Sequence, residues 1–171
     1  MIKLNIGCGF DYRNRFINID ASSSLPKVDM VLDINTKSLS DAFDKESVDY
    51  ILAQDIIEHF FHWQAVKILE DCYSILKSGG YIEIRVPNVE YIIKSSIPID
   101  RKIAMLYGGQ DIPQETPPSK NRAENPHLFC HKYGWVCSSL KAALESIKYC
   151  SIETRKIGSN ILIKAYKGML T

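Results

Sequence analysis

The most constraining feature of the sequence is a series of short apolar segments, most of which stop at a glycine or an acidic residue. The first segment, residues 2–6, alternates in polarity and is followed by Gly7-Cys8-Gly9. Four more apolar segments are similarly short: residues 16–19, 28–32, 48–52 and 81–86. Their β-branched and aromatic content is typical of strands. The pattern therefore predicts a sheet of several short strands.

Helical spacing interrupts this series of strands. Apolar residues recur every three or four positions from Trp63 to Leu76 and again from Ser138 to Lys148, which predicts two amphipathic helices, with Trp63 on the buried face of the first. Two closing strands, residues 151–157 and 161–166, are separated by about three residues, too few for anything but an antiparallel connection. Strands alternating with helices predict an α/β sheet that is covered on both faces.

Length and charge narrow the possible classes of protein. A chain of 171 residues is the size of one domain, so we expect residues 1–171 to form a single unit. A formal net charge of +1 does not favour a nucleic-acid or membrane-surface binder. No signal peptide or membrane span is evident, and five cysteines without a CxxC pair are typical of a reducing compartment. We therefore expect a cytoplasmic protein.

The residues that follow the strands are candidates for a binding site, because ligands of parallel sheets bind beyond the carboxyl ends of the strands. Gly7 and Gly9 would let the backbone approach a ligand closely. A dinucleotide fingerprint would need a third glycine where Tyr12 stands, which argues against NAD. Asp20 could accept both hydroxyls of a ribose. Asp33 could accept from an adenine amino group.

The motifs taken together carry a family resemblance. The segments LNIGCG, FINID, VDMVLDI, SVDYILAQDIIEHF and LKSGGYIEIRVPN resemble those of a class I S-adenosylmethionine-dependent methyltransferase of the small, abbreviated kind. The resemblance implies a Rossmann-like, seven-stranded, mostly parallel sheet with one antiparallel terminal strand and helices on both faces. The interval between Gly9 and Phe16 is too short for the usual first helix, so we expect that helix to be shortened.

The resemblance also implies S-adenosylmethionine as the cofactor and a role for each residue that follows a strand. The glycine turn would line the methionine part of the cofactor, and Asp20 would hold the ribose. Asp33 and Ile34 would contact the adenine. The two residues at the end of the fourth strand, Gln54 and Asp55, would face the methionine end and the substrate. The full set of expected cofactor residues is Gly7, Cys8, Gly9, Asp20, Asp33, Ile34, Gln54 and Asp55. The family's usual acidic residue two positions before the first glycine is Asn5 here.

Candidate catalytic residues come from two histidines. The imidazole of His59, or that of His131, has the intrinsic pKa needed to remove a proton from a hydroxyl acceptor near neutrality. We therefore expect a small-molecule acceptor that carries a hydroxyl. The proline-rich segment 111–126 could close over it and exclude water. His59 and its neighbour Glu58 could also simply cap the following helix.

Two other functions remain open from the sequence. One is a non-catalytic relative that binds the cofactor or acts as a regulatory subunit. The other is a metal-dependent RNA 2′-O-methyltransferase, because Asp55, Glu58 and His59, with His127 or His131, resemble the metal site of the small-RNA enzymes. The charge balance does not favour RNA. The expectation is therefore no metal, no membrane and no nucleic acid, with the oligomeric state left open.

Overall fold

A seven-stranded sheet is the centre of the molecule, in the computed structural model that describes residues 1–109 and 126–168. The strands lie in the order β3-β2-β1-β4-β5-β7-β6. Their bounds are β1 Lys3–Ile6, β2 Ile17–Asp20, β3 Met30–Val31, β4 Val48–Gln54, β5 Leu76–Pro87, β6 Tyr149–Ile157 and β7 Asn160–Lys167.

The strand directions agree with the sequence-based prediction. β1 pairs in parallel with β2 and β4, β2 with β3, and β4 with β5. β7 pairs antiparallel with both β5 and β6. Six strands therefore run in one direction and β7 alone runs in the other, which confirms the mostly parallel sheet with one antiparallel terminal strand.

The α-helices of the described residues lie in two connections, the one between β4 and β5 and the one between β5 and β6. Their bounds are α1 His62–Ile75, α2 Val89–Lys94, α3 Ile99–Tyr107, α4 Pro126–Phe129 and α5 Cys137–Ser146, with 3-10 turns at Leu39–Asp41 and Ile57–His59. Among the described residues, no helix is long and apolar enough to cross a membrane.

One face of the sheet carries the hydrophobic core. Leu4, Ile51, Ile82 and Ala165 are register partners on neighbouring strands, so their side chains lie on the same face. They belong to one buried cluster with residues of α1 and α5, including Leu69. The helices α1 and α5 therefore contribute to the core on this face of the sheet.

The opposite face is polar and aromatic. Tyr50 stacks on Tyr81 with ring centroids 4.5 Å apart, and the edge of Phe16 contacts Tyr50 at 5.3 Å. The hydroxyl of Tyr50 donates to the Glu83 carboxylate at 2.7 Å, and Tyr166 lies 5.5 Å from Tyr81. These side chains are half-buried and contact one another across the strands.

The connection between β1 and β2 contains no helix, so the expected shortening of the first helix is complete. Buried Asn5 replaces it as an anchor: its side-chain amide donates to the Asp11 carbonyl at 2.8 Å and to the side chain of Asn18 at 3.0 Å. Asn18 in turn accepts from the backbone N–H of Arg13 at 2.8 Å. Side-chain amides on the strands therefore hold this loop in place of helix packing.

Two details of the predicted elements were wrong. Trp63 is 66% exposed and stacks on Phe61 at 4.7 Å; the buried stripe of α1 is Ala65, Ile68, Leu69, Cys72 and Ile75. The apolar spacing fitted two adjacent stripes, and packing selected the one with the smaller side chains. The helix also ends at Ile75 and β5 begins at Leu76, because Leu76 pairs with Val48 before the chain loops out.

Candidate functional site

A cavity of about 530 Å³ lies where the parallel strands end. Its lining includes the residues that follow β1, β2, β3 and β4, namely Gly7, Gly9, Asp20, Asp33, Ile34 and Asp55. Because the sheet order is β3-β2-β1-β4, these residues are arranged in that order along the edge, with about 4.8 Å between neighbouring strands. The volume falls in the range of sites for small ligands.

The glycine turn after β1 has a backbone that other residues adopt with difficulty. Gly7 has φ +63° and Gly9 has φ +51°. A Cβ on Gly7 would lie 2.4 Å from the side chain of Ile56, whereas a Cβ on Gly9 would have nothing within 4 Å. Gly7 is therefore required for the close packing of the turn, and Gly9 leaves open space beside the cavity.

Asp20 joins the end of β2 to the glycine turn. One carboxylate oxygen accepts from the backbone N–H of Gly9 at 2.9 Å, and the other accepts from that of Ser22 at 2.9 Å. A carboxylate offers about four lone-pair sites, so each oxygen keeps capacity for a second donor. Asp20 is half-buried and lines the cavity, and a ligand with two neighbouring hydroxyls fits this remaining capacity.

The residues after β3 form the next part of the wall. Asp33 accepts from the backbone N–H of Asn35 at 2.9 Å, which fixes its side chain in a local turn. Ile34 lies beside it, and Leu25 and Leu32 add apolar surface. A flat apolar group with a polar edge, such as a purine, fits this combination.

Two of the expected cofactor residues do not line the cavity. The thiol of Cys8 is buried, and burial, reinforced by the charge of Asp20, raises its pKa to about 12. Gln54 is the last residue of β4, and its side-chain oxygen accepts from the Arg13 guanidinium at 3.3 Å. Neither residue is among those that line the cavity, although their neighbours Gly7, Gly9 and Asp55 are.

Asp55 follows β4 with φ +52° and lines the cavity. Its carboxylate forms an ion pair with Arg85, whose Nε lies 3.0 Å from both oxygens. The backbone N–H of Asp55 also donates to the Arg85 carbonyl at 2.8 Å. Asp55 is therefore held against β5, and its charge is balanced within the protein.

The two candidate catalytic histidines meet at the wall of the same cavity. The ring centroids of His59 and His131 are 4.9 Å apart, and both residues are half-buried. Nδ1 of His59 lies 3.2 Å from the carbonyl of Cys130, so it carries the proton and donates. Burial, together with the neighbouring His131, lowers the pKa of His59 to about 4. The ring is neutral near pH 7, with the Nε2 lone pair available.

Glu58, for which the sequence left a helix cap or a place in a metal site open, is buried beside the histidines. Its side chain is 1% exposed, and neither carboxylate oxygen has a hydrogen-bond partner among the described residues. Burial raises its pKa to about 8, with a further contribution from the charge of Asp55. Its position between a strand end and a histidine was the sequence signal, but burial on this scale was not visible there.

Other wall residues carried no recognisable signal. Phe10, which is 52% exposed, follows the glycine turn, and Ala104 and Met105 belong to α3.

Residues 111–125 of the expected lid lie outside the described residues. The chain on either side of that segment, at Gly108–Gly109 and at 127–129, does line the cavity.

A search of curated proteins found no match. A family model described as a methyltransferase domain matches residues 4–84, which run from β1 into β5 and include the glycine turn, Asp20, Asp33 and the histidine at position 59.

Several solved structures with the same fold are described as methyltransferases. A SAM-dependent methyltransferase from Archaeoglobus fulgidus has a TM-score of 0.63 at 17% identity, over 96% of this chain and 85% of its own. One from Mesorhizobium loti has a TM-score of 0.63 at 13% identity, over 96% and 90%. The 1,6-didemethyltoxoflavin-N1-methyltransferase of Burkholderia thailandensis, solved with S-adenosylhomocysteine, has a TM-score of 0.63 at 12% identity, over 98% and 71%. Residues 4–84 of the chain thus match a methyltransferase domain, and the fold of the chain is the one found in S-adenosylmethionine-dependent methyltransferases of known structure.

Proposed function

We propose that residues 1–171 act as one domain that transfers the methyl group of S-adenosylmethionine to a hydroxyl of a small-molecule acceptor. The observation that carries this proposal is the order of groups along one cavity. A purine-compatible wall at β3, a carboxylate at β2, a glycine turn at β1 and a histidine pair beyond β4 follow one another along the sheet edge.

In the proposed binding mode, each part of the cofactor meets a different strand end. Asp33 and Ile34 would hold the adenine, and Asp20 would accept the ribose hydroxyls with its remaining lone pairs. Gly7 and Gly9 would lie against the methionine part, with Asp55 near the same end. Cys8 and Gln54 are left out of this set because neither lines the cavity.

Methyl transfer to a hydroxyl is an in-line displacement in which the acceptor oxygen attacks the methyl carbon and the thioether leaves. When bound, the cofactor supplies the activated methyl group. The protein must align the acceptor and accept its proton. His59 is suited to that role because its Nδ1–H is held by the Cys130 carbonyl, which leaves the Nε2 lone pair available. We assign His131 to the same wall of the acceptor site.

The test is transfer of isotopic label from S-adenosylmethionine to a panel of small alcohols, phenols, amines and thiols. Label on a hydroxyl is the expected result; label on nitrogen, sulfur or carbon would overturn the assigned acceptor. Binding without transfer to any acceptor would favour a non-catalytic cofactor-binding protein instead.

Substitution of the histidine tests the catalytic assignment. His59→Asn should lower turnover by roughly 10²- to 10⁴-fold while the affinity for S-adenosylhomocysteine stays within about twofold. His62→Asn is the matched control, because His62 is an exposed histidine at the start of α1 that packs on Tyr133 and Trp135. Equal turnover in both variants would show that His59 has no part in proton transfer.

A further inference from the structure

The least explained group in the molecule is the carboxylate of Glu58. It is almost completely buried, and neither oxygen has a hydrogen-bond partner among the described residues. Removing a carboxylate from water without a partner is costly, and proteins normally compensate with a cation or with donors. Its backbone carbonyl is well satisfied, since it accepts from the N–H groups of Lys132 and Tyr133 at 2.8 and 3.2 Å. The side chain alone therefore lacks a counterpart.

Two imidazoles lie next to this carboxylate. One ligand atom each from Glu58, His59 and His131 can be chosen so that all three lie within 4.8 Å of one another. Bonds of about 2.0–2.2 Å would bring ligand atoms of one ion to roughly 4 Å or less. Closing the cluster around an ion therefore requires side-chain shifts of about an ångström or less.

The orientation of His59 fits a role as a ligand. Its Nδ1 faces the Cys130 carbonyl at 3.2 Å, which leaves Nε2 unprotonated. Metal-bound histidines almost always donate their other ring N–H to a carbonyl or carboxylate in this way, which fixes the tautomer and the ring. The loop before α5, which carries Cys130 and His131, thus supplies both one ligand and the group that orients another.

We propose that Glu58, His59 and His131 bind a divalent transition-metal ion in the wall of the cavity. Two imidazoles and one carboxylate suit zinc, manganese, iron or cobalt in their divalent states. Three protein ligands leave coordination positions open, and both histidines line the cavity. The site rests on this geometry alone. An ion bound here takes up the Nε2 lone pair of His59, so in the metal-bound protein His59 is a ligand and does not itself accept the acceptor's proton. That an acceptor hydroxyl would occupy an open position, where the ion would lower its pKa, rests in addition on the proposed function.

The proposed ligand set differs from the one that the motifs indicated. Asp55 does not belong to the cluster because its carboxylate is paired with Arg85. His127 is exposed on α4 and is also not part of it. The proposal further departs from the expectation of no metal, because the missing partner of Glu58 becomes evident only once its burial is known.

The test is titration of the chelator-treated full chain with Co²⁺, followed by visible absorption. We expect one equivalent to bind with the d–d bands of nitrogen and oxygen ligation. Glu58→Gln and His131→Asn should each weaken binding by roughly tenfold or more, and His62→Asn should leave the affinity unchanged. Circular dichroism will verify that the variants fold. Glu58→Gln should fold well, because glutamine has nearly the same shape and places no ionisable group in the buried position.

Three outcomes would overturn the proposal. They are no binding at about millimolar Co²⁺, equal affinity in wild type and Glu58→Gln, and a spectrum dominated by thiolate-to-cobalt charge transfer, which would place the ion on cysteines. Titration of Glu58→Gln with S-adenosylhomocysteine separates this proposal from the cofactor assignment. Retained affinity shows that the cofactor site is intact whatever the metal result.

Discussion

Asp20 shows how one side chain can belong to both the fold and the site. From its position at the end of a strand, the sequence predicted only a ligand-binding carboxylate. The structure adds that its oxygens accept from the backbone N–H groups of Gly9 and Ser22. These bonds fix the carboxylate in place before a ligand binds, which lowers the entropic cost of accepting ribose hydroxyls.

Removal of this carboxylate should therefore affect both affinity and stability. Asp20→Ala should weaken S-adenosylhomocysteine binding by roughly ten- to a thousand-fold and lower the free energy of unfolding by about 1–3 kcal/mol. Asp20→Asn should be milder in both, because its amide oxygen still accepts. Calorimetric titration and urea denaturation measure the two effects. The control is Asp44→Ala, at an exposed acid outside the cavity lining; equal affinity in all variants would remove Asp20 from the site.

The cysteines should differ in reactivity. Burial raises the pKa of Cys8 to about 12 and raises that of Cys72 as well, so neither forms much thiolate at pH 8. Cys150 is exposed. Iodoacetamide at pH 8 should therefore modify Cys150 and spare Cys8 and Cys72. Peptide mass spectrometry measures this, and fast labelling of Cys8 would show that the glycine turn opens.

At the scale of elements, the connection between β1 and β2 is the part most unlike a regular nucleotide-binding unit. This connection has no helix whose N-terminus could face a ligand. Hydrogen bonds made by the side chains of Asn5 and Asn18 fix the loop in place of helix packing. The family's acidic residue at position 5 would lose the amide donors that Asn5 uses toward Asp11 and Asn18. The departure from the family pattern at Asn5 thus accompanies the loss of the helix.

The two glycines of this turn should respond differently to a methyl group. Gly9→Ala should cost about 1–2 kcal/mol of stability, because φ is positive but the space is open. Gly7→Ala carries the same backbone cost plus a clash with Ile56, so we expect about 1–3 kcal/mol more. Urea denaturation of both variants compares the costs directly. A smaller cost for Gly7→Ala would mean that Ile56 moves freely, and that the turn is not tightly packed.

At the scale of the whole molecule, cofactor binding should be visible as stabilisation of the fold. A ligand that binds only the native state adds RT ln(1 + [L]/Kd), or about 2.7 kcal/mol at a hundredfold excess over Kd. S-adenosylhomocysteine at that excess should raise the melting temperature of wild type. Adenine alone at the same concentration is the control and should shift it far less. No shift with S-adenosylhomocysteine would contradict the assignment of the cofactor.

The sheet was predictable from sequence because each strand carries its own local signal. Short β-rich segments ended by Gly7, Asp20 and Asp33 fix strand number, direction and the edge where ligands bind. The face of α1 was not predictable, since Trp63 satisfies the apolar spacing but lies in solvent. The first three connections, all among the described residues, contain no α-helix, and only the first of them was short enough for its sequence to predict this.

The site was predictable where its residues lie next to a strand end, and less so elsewhere. Gly7, Asp20 and Asp33 line the cavity as expected. Cys8 and Gln54 do not, because proximity in sequence does not fix the direction of a side chain. The meeting of Glu58 and His131, which are far apart in the chain, needed the tertiary structure.

The position of β7 in the sheet determines when the strands of the nascent chain can pair. β7 is the last strand in the sequence, yet it lies in the sheet between β5 and β6. On the ribosome, β6 therefore emerges before the strand that joins it to the rest of the sheet. β5 ends at Pro87 and β7 is complete only at Lys167, so translation at about 5–20 residues per second leaves the edge of β5 unpaired for roughly 4–16 seconds. During that time the nascent chain exposes a strand edge that can pair with other unfolded chains. The yield of folded protein should therefore fall as the concentration of such chains rises.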